Sequence, residues 1–282
     1  MPRIGVVRWR NVGETLSPLA TDGVTPRFVR DEEDGRVIQG AWLEPAGADG
    51  PVLLYFHGGG FVFGSIRSHG TLIGALARAA GARTFAPQYR LGPEHPAPAA
   101  HDDGIAAYLY LLRRGIPPGR IVIAGDSAGG TMVLNTLIAL RDAGAPLPAA
   151  GVAICPWVDL ACSGASFETN APFDYVGKVH CLLAAKNYLN GLDPRRPDIS
   201  PLFAALAGLP PLLVHAGEAE VLVDQIRAFA ARAEAAEVDI RLEVYPDMVH
   251  VWHLMRAVTS TAQHAIDEIG AFVRKHTDIA PA

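Results

Sequence analysis

Arg120-Ile121-Val122-Ile123-Ala124-Gly125-Asp126-Ser127-Ala128-Gly129-Gly130 is the stretch that decides the fold. A short apolar run of strand length leads into a turn carrying Gly-x-Ser-x-Gly. From Ala128 to Ala143 the spacing then predicts a helix, with Met132, Val133, Thr136, Leu137 and Leu140 on one side and Gly144 at its end. A serine squeezed between a buried strand and a helix sits on a sharp turn, so its hydroxyl stands clear of the backbone. Gly125 and Gly129 leave room where side chains would collide, and the helix N-terminus directs N–H groups and partial positive charge at the same point. Gly-x-Ser-x-Gly alone also describes a turn serine that caps a helix. The strand before it and the helix after it make Ser127 a candidate nucleophile.

Outward from this turn, strand-length apolar runs alternate with helical patterns from about Val52 onward. Strands are expected at Pro51 to Phe56, Thr84 to Ala86, Arg120 to Ala124, Gly151 to Ile154, Leu212 to His215 and Ile240 to Tyr245. Helices are expected at Thr71 to Ala80, Ile105 to Leu112, Ala128 to Ala143, Val223 to Ala236 and Ser260 to His276. This alternation, with strands apolar on both faces, implies a mostly parallel sheet covered by helices on both sides. Chemistry in such sheets collects at the carboxyl ends of the strands. Two stretches break the pattern: the first 25 or so residues, and Ser163 to about Pro201, which has helical fragments around His180 to Asn190.

The strand Pro51 to Phe56 runs into His57-Gly58-Gly59-Gly60-Phe61. Three consecutive glycines cost backbone entropy that a plain turn does not require. They allow bare N–H groups to face a substrate oxygen, the oxyanion-binding element that accompanies such a serine. A phosphate loop is the alternative, but neither the P-loop pattern nor Gly-x-Gly-x-x-Gly is present. His57 is read as orienting this loop by hydrogen bonding. The order that goes with the serine elbow is Ser, acid, His. Of the ten histidines, His250 lies on the loop after the strand Ile240 to Tyr245, with His253 as runner-up; His264 and His276 fall on the last helix as surface residues. The loop after Leu212 to His215 offers Glu218, Glu220 and Asp224, and spacing alone does not decide among them.

The bulk properties agree. The chain has 282 residues, half of them hydrophobic, a formal charge of −5 and a pI near 6.0. One large domain spanning 1–282 can bury its own core. The acidic balance argues against a nucleic-acid surface. Cys155, Cys162 and Cys181 are too few and wrongly spaced for a disulfide framework or a zinc site, and are read as buried thiols. Met1 to Val12 has three arginines and no apolar core, so it does not read as a signal peptide. No run is long enough to span a bilayer. A cytoplasmic location is expected.

Several segments together resemble the hormone-sensitive-lipase-like (bacterial family IV) esterases of the α/β-hydrolase superfamily. These are His57-Gly58-Gly59-Gly60-Phe61, Gly125-Asp126-Ser127-Ala128-Gly129-Gly130, Tyr89-Arg90-Leu91-Gly92-Pro93-Glu94-His95-Pro96 with Gly92 where alanine is usual, and Cys155-Pro156-Trp157-Val158-Asp159-Leu160. The likeness covers nearly all of the chain from about Pro51. It implies the α/β-hydrolase fold with a small helical cap built from about 1–25 and 163–201. It also implies Ser127 as nucleophile, His250 as base, and an oxyanion hole of the Gly59, Gly60 and Ala128 N–H groups, with Gly58 in place of one of these as the variant. The family's Asp-Pro-Leu-x-x-Asp reads here Glu220-Val221-Leu222-Val223-Asp224, which places Glu220 at the acid position. That departure resembles the short acetyl hydrolases and monoterpene ε-lactone hydrolases.

The expected function is therefore hydrolysis of short-chain carboxylic esters, with lactones as further substrates, through an acyl-enzyme and without metal or cofactor. The expected partner is a small-molecule ester, not nucleic acid or a membrane, with a homodimer left open. An amide or formamide hydrolase on the same machinery is one rival. A non-catalytic small-molecule receptor on this fold is the other, and a complete serine, base and acid set argues against it.

Overall fold

The computed structural model describes residues 5–8, 10, 11, 19, 21–33 and 35–277. The elements run β1 (Pro26–Glu33), β2 (Arg36–Leu43), β3 (Val52–Phe56), α1 (Ile66–Ala80), β4 (Arg83–Pro87), α2 (Ala99–Arg113), β5 (Ile121–Asp126), α3 (Ala128–Asp142), β6 (Ala150–Ile154), α4 (Ser166–Thr169), α5 (Lys178–Leu189), β7 (Leu212–Gly217), α6 (Val223–Ala235), β8 (Ile240–Tyr245) and α7 (Ser260–His276). They form one eight-stranded sheet in the order β1-β2-β4-β3-β5-β6-β7-β8. The strands from β4 to β8 pair in parallel, and β1 and β2 add an antiparallel edge.

The period-two alternation of the strands sorts the core into two layers. Leu53, Tyr55, Val122, Ala124, Val152 and Leu213 point to one face, where Leu72, Ile73 and Leu76 of α1 meet Ile266, Ile269 and Val273 of α7. Val52, Leu54, Phe56, Ile121, Ile123 and Val214 point to the other, under α2, α3 and α6. β3, β5, β6 and β7 are buried along their whole length. At roughly 2 kcal/mol for each large apolar side chain removed from water, this double burial supplies the main drive to fold.

All six expected strands and all five expected helices are present, with shifted ends. α1 starts at Ile66 rather than Thr71, because the Ser65 hydroxyl accepts the Arg67 and Ser68 N–H groups and Ser68 returns a bond to the Ser65 backbone. α2 starts at Ala99, ahead of Ile105, straight after Pro98. The β1–β2 hairpin is absent from the sequence expectations, because Arg27 to Glu33 is dominated by charge. Of the expected cap stretch 1–25, residues 1–4, 9, 12–18 and 20 lie outside the described residues. The later irregular stretch holds α4 and α5. No helix among the described residues is long and apolar enough to cross a membrane.

Candidate active site

Ser127 joins the end of β5 to the start of α3 and takes φ 54°, ψ −119°. That left-handed conformation costs a non-glycine residue of order 1–3 kcal/mol, and three backbone bonds hold it. The Ser127 N–H donates to Ile154 O at 2.8 Å, and its carbonyl accepts from Thr131 N–H at 3.1 Å and Trp157 N–H at 3.2 Å. The turn also brings α3 hard against β3. A Cβ on Gly129 would lie 2.0 Å from Phe56 O, so only glycine fits.

Asp126, one residue earlier, is buried with its carboxyl under the glycine loop. Its Oδ1 accepts Tyr55 O–H at 2.6 Å and Gly58 N–H at 3.0 Å, and its Oδ2 lies 3.3 Å from His69 Nε2. Burial alone would raise this carboxyl, but His69, Tyr55 and His57 outweigh it and hold it below the usual range. His57 Nδ1 sits 2.8 Å from Gly58 O, and a carbonyl only accepts, so Nδ1 carries the proton in that contact. The Tyr89 ring stacks on His57 at 4.3 Å and its hydroxyl donates to His57 O at 2.7 Å. Burial, with His69 beside it, pushes the His57 imidazole down to about 3. His57 is thus a neutral scaffold for the loop, in line with the sequence reading.

The loop next turns through Gly59 at φ 115° and Gly60 at φ 60°, and a Cβ on Gly59 would lie 2.3 Å from Phe63 O. Gly59 and Gly60 face the same cavity as Ser127. The Gly58 N–H is already engaged by Asp126, which leaves Gly59, Gly60 and Ala128 as the candidate oxyanion donors.

The late loops complete the cluster. His250 Nε2 lies 2.9 Å from Ser127 Oγ, and His250 Nδ1 lies 2.7 Å from Glu220 Oε2. Glu220 is fully buried, and its Oε1 accepts Gly217 N–H at 2.9 Å. Burial would lower the His250 imidazole, but the hydrogen bond and charge of Glu220, with Asp174 and Asp126 behind it, carry it above its ordinary value. The two other carboxylates go elsewhere. Glu218 is exposed, while Asp224 Oδ2 accepts Ser166 N–H at 2.8 Å. The runner-up His253 is buried against Trp252, with its Nε2 3.1 Å from His215 Nδ1. Burial and His215 hold it well below the usual histidine value. His253→Asn is therefore expected to leave ester turnover within about threefold of wild type, and to cost roughly 1–3 kcal/mol of stability through disturbed buried packing. Parallel kcat and thermal-midpoint measurements check both halves.

Cys155 lies beside Glu220 and His250, and its Sγ accepts Val251 N–H at 3.3 Å. One donor atom each of Cys155, Glu220 and His250 lie within 4.8 Å of one another. A metal there would have to break the hydrogen bonds that align His250, and burial raises the Cys155 thiol well above its usual value, away from the thiolate a metal takes. All three cysteines are free and buried.

Ser127 and His250 open on a cavity of about 330 Å³. Phe63, Trp157, Tyr175, Cys181, Leu222 and Leu254 are among the residues that line it. Two residues at the site carry no signal in the sequence reading. Asp126 occupies the variable position of the serine motif, and Asp174 lies in the irregular stretch. Their roles arise from bonds to groups 47 to 76 residues away.

Set against known proteins, residues 53–254 match the alpha/beta hydrolase fold family. The chain is similar to an acetyl-hydrolase of Streptomyces hygroscopicus, 48% identical over 237 residues that cover 84% of this chain and 79% of that one. It is also similar to an ethyl acetate hydrolase of Pseudomonas putida, at 33% over 280 residues, 93% of this chain and 82% of that one. Among solved structures, an esterase from the bacterial hormone-sensitive lipase family superposes with a TM-score of 0.90 at 44% identity, over 98% of this chain and 93% of that one.

Proposed function

This chain belongs to the alpha/beta hydrolase fold family, in its bacterial hormone-sensitive-lipase branch, and is a carboxylic ester hydrolase; we propose that it cleaves short-chain esters through an acyl-enzyme on Ser127. The observation that carries this reading is the hydrogen-bonded chain from Ser127 Oγ through His250 to buried Glu220, open to a small apolar cavity.

Each residue then has one task. His250 Nε2 takes the Ser127 proton as Oγ attacks the ester carbonyl. Glu220 accepts the Nδ1 proton's hydrogen bond, fixes the tautomer and stabilises the imidazolium. Negative charge developing on the carbonyl oxygen meets the N–H groups of Gly59, Gly60 and Ala128, each worth about 3 kcal/mol to the transition state. The imidazolium returns its proton to the departing alcohol, and water repeats the sequence to release the acid. The stretch 163–201 acts as the cap, and its Tyr175, Cys181 and Ala184 set the length of the cavity.

A cavity of about 330 Å³ lies at the small end for ligand sites. The kcat/KM for p-nitrophenyl esters is accordingly expected to peak at acetyl or butyryl and to fall by about a hundredfold or more by lauroyl. A matched p-nitroanilide and small lactones complete the series. A maximum at long chains, rising at an oil–water interface, or faster cleavage of the anilide would overturn the proposal.

A further inference from the structure

We propose that Asp174, in the stretch between α4 and α5, is a positioning residue that joins the substrate cover to the loops bearing the acid and the base. This rests on the reading of Glu220 and His250 given above.

Asp174 Oδ2 accepts the Val221 N–H at 2.9 Å, one residue after Glu220, and its Oδ1 accepts the His250 N–H at 3.3 Å. One carboxylate thus touches the backbone of both loops at the residues that matter. The same stretch grips the acid loop twice more. Asn170 Nδ2 donates to the carbonyls of Glu218 and Glu220, each at 2.9 Å, and Ser166 Oγ donates to Val221 O at 2.7 Å. Those three hydrogen bonds stabilise the acid loop alone. Among the described residues, Asp174 is the one in this stretch whose hydrogen bonds reach both the acid loop and the His250 backbone.

Its neighbour supplies the other end of the connection. Tyr175 lines the cavity, and its ring centroid lies 6.2 Å from that of His250. A shift of the cover at Tyr175 is transmitted through the adjoining Asp174 to the main chain of the base. Displacements of about 1 Å at a reacting pair can cost a hundredfold in rate, so this joint controls kcat more than binding.

Asp174 also acts through charge. The groups that face His250 are Glu220 from the acid loop, Asp126 from the serine turn, Cys155 beside the pair, Tyr175 and Asp174 from the cover, and His253 on its own loop. Asp174 is one of the three carboxylates that raise the imidazole. The base works only when neutral. Removing a negative charge lowers its pKa, so the acid limb of the pH profile moves to lower pH.

The test compares D174N and D174E with wild type, using p-nitrophenyl acetate across pH. Rates are normalised to serine labelled to completion by a fluorophosphonate, so that unfolded protein does not count. D174N removes the charge and one acceptor. It is expected to lower kcat by about tenfold with KM within about twofold, and to move the acid limb of kcat/KM to lower pH. D174E keeps the charge, so its acid limb stays at the wild-type position while kcat falls. A D174N protein that loses thermal stability but retains both kcat per labelled site and the wild-type acid limb overturns the proposal. Should D174N fail to fold, D174E still decides: a wild-type kcat per labelled site overturns it. If wild type itself is not labelled at Ser127, the reading of the active site fails first, and the two failures are thereby told apart.

Discussion

Ser127→Ala is expected to abolish ester turnover, by about 10⁵-fold or more in kcat, and to abolish labelling by a fluorophosphonate, while the thermal midpoint stays within a few degrees of wild type. The hydroxyl is the only atom lost. It sits at the junction of β5 and α3, where the backbone is held by Ile154, Thr131 and Trp157 and not by the side chain. Alanine carries the same Cβ through the same strained turn, so the fold has no reason to respond. His250 Nε2, 2.9 Å from Oγ in the wild type, then faces a methyl group. Water can still enter the cavity and meet the oxyanion donors, so residual hydrolysis is expected above the uncatalysed rate. His250→Asn is expected to be nearly as damaging, because serine and base act as one unit and removing either disables both. Near-wild-type turnover in the folded Ser127→Ala protein would refute the acyl-enzyme altogether.

The parts of this molecule that the sequence announces are those whose signal is local. β5, the serine turn and α3 are consecutive, so strand period, glycine spacing and helix period lie within one window. The same holds for β3 with its glycine loop and for β8 with the loop of His250. The β1–β2 hairpin shows the limit. Its strands pair Arg27 with Trp42 and Glu33 with Arg36, and β1 is a sheet edge that charge protects from further pairing. The charge that suits an edge hides the strand from a search for apolar runs. The Asp34-Gly35 dipeptide between the two halves was the available clue.

The site divides along the same line. Ser127 and His250 each follow a strand in the order this turn prescribes, whereas order alone leaves Glu218, Glu220 and Asp224 open and only the family resemblance points to Glu220; the structure brings Ser127, His250 and Glu220 together. Asp126 gains its place under the glycine loop only when β3 pairs with β5 in parallel, with Phe56 opposite Gly125. Asp174 meets His250 only after the stretch between α4 and α5 has packed against two separate loops. Neither pairing leaves a periodicity or a spacing behind. Asp126 stands inside the serine motif with nothing to mark its partners, and Asp174 looks in the sequence like an ordinary solvated acid.

Glu220→Gln is expected to lower kcat by about 10³-fold or more, whereas Asp224→Asn is expected to leave kcat within about threefold and to act on stability. The two acids lie four positions apart, Glu220 in the loop after β7 and Asp224 in the first turn of α6, and their surroundings differ in kind. Glu220 is fully buried, with one oxygen on His250 Nδ1 at 2.7 Å and the other on the Gly217 N–H at 2.9 Å. Glutamine keeps the shape and the capacity to accept one bond, but it removes the charge that favours the imidazolium. It also presents an amide N–H to one of two donors, either His250 or Gly217, so the imidazole loses its preferred tautomer or the loop loses a bond. Removal of the acid's charge in other serine triads costs about 10⁴ in kcat. Asp224 instead sits in the first turn of α6, where a carboxylate interacts with the helix N-terminus, and its Oδ2 accepts the Ser166 N–H at 2.8 Å. Its amide replacement weakens that hydrogen bond by about 1 kcal/mol without touching His250. Measured side by side, kcat and thermal midpoint separate the two roles. An active Glu220→Gln enzyme beside a dead, well-folded Asp224→Asn enzyme would transfer the acid's role to Asp224 and require these loops to rearrange during turnover.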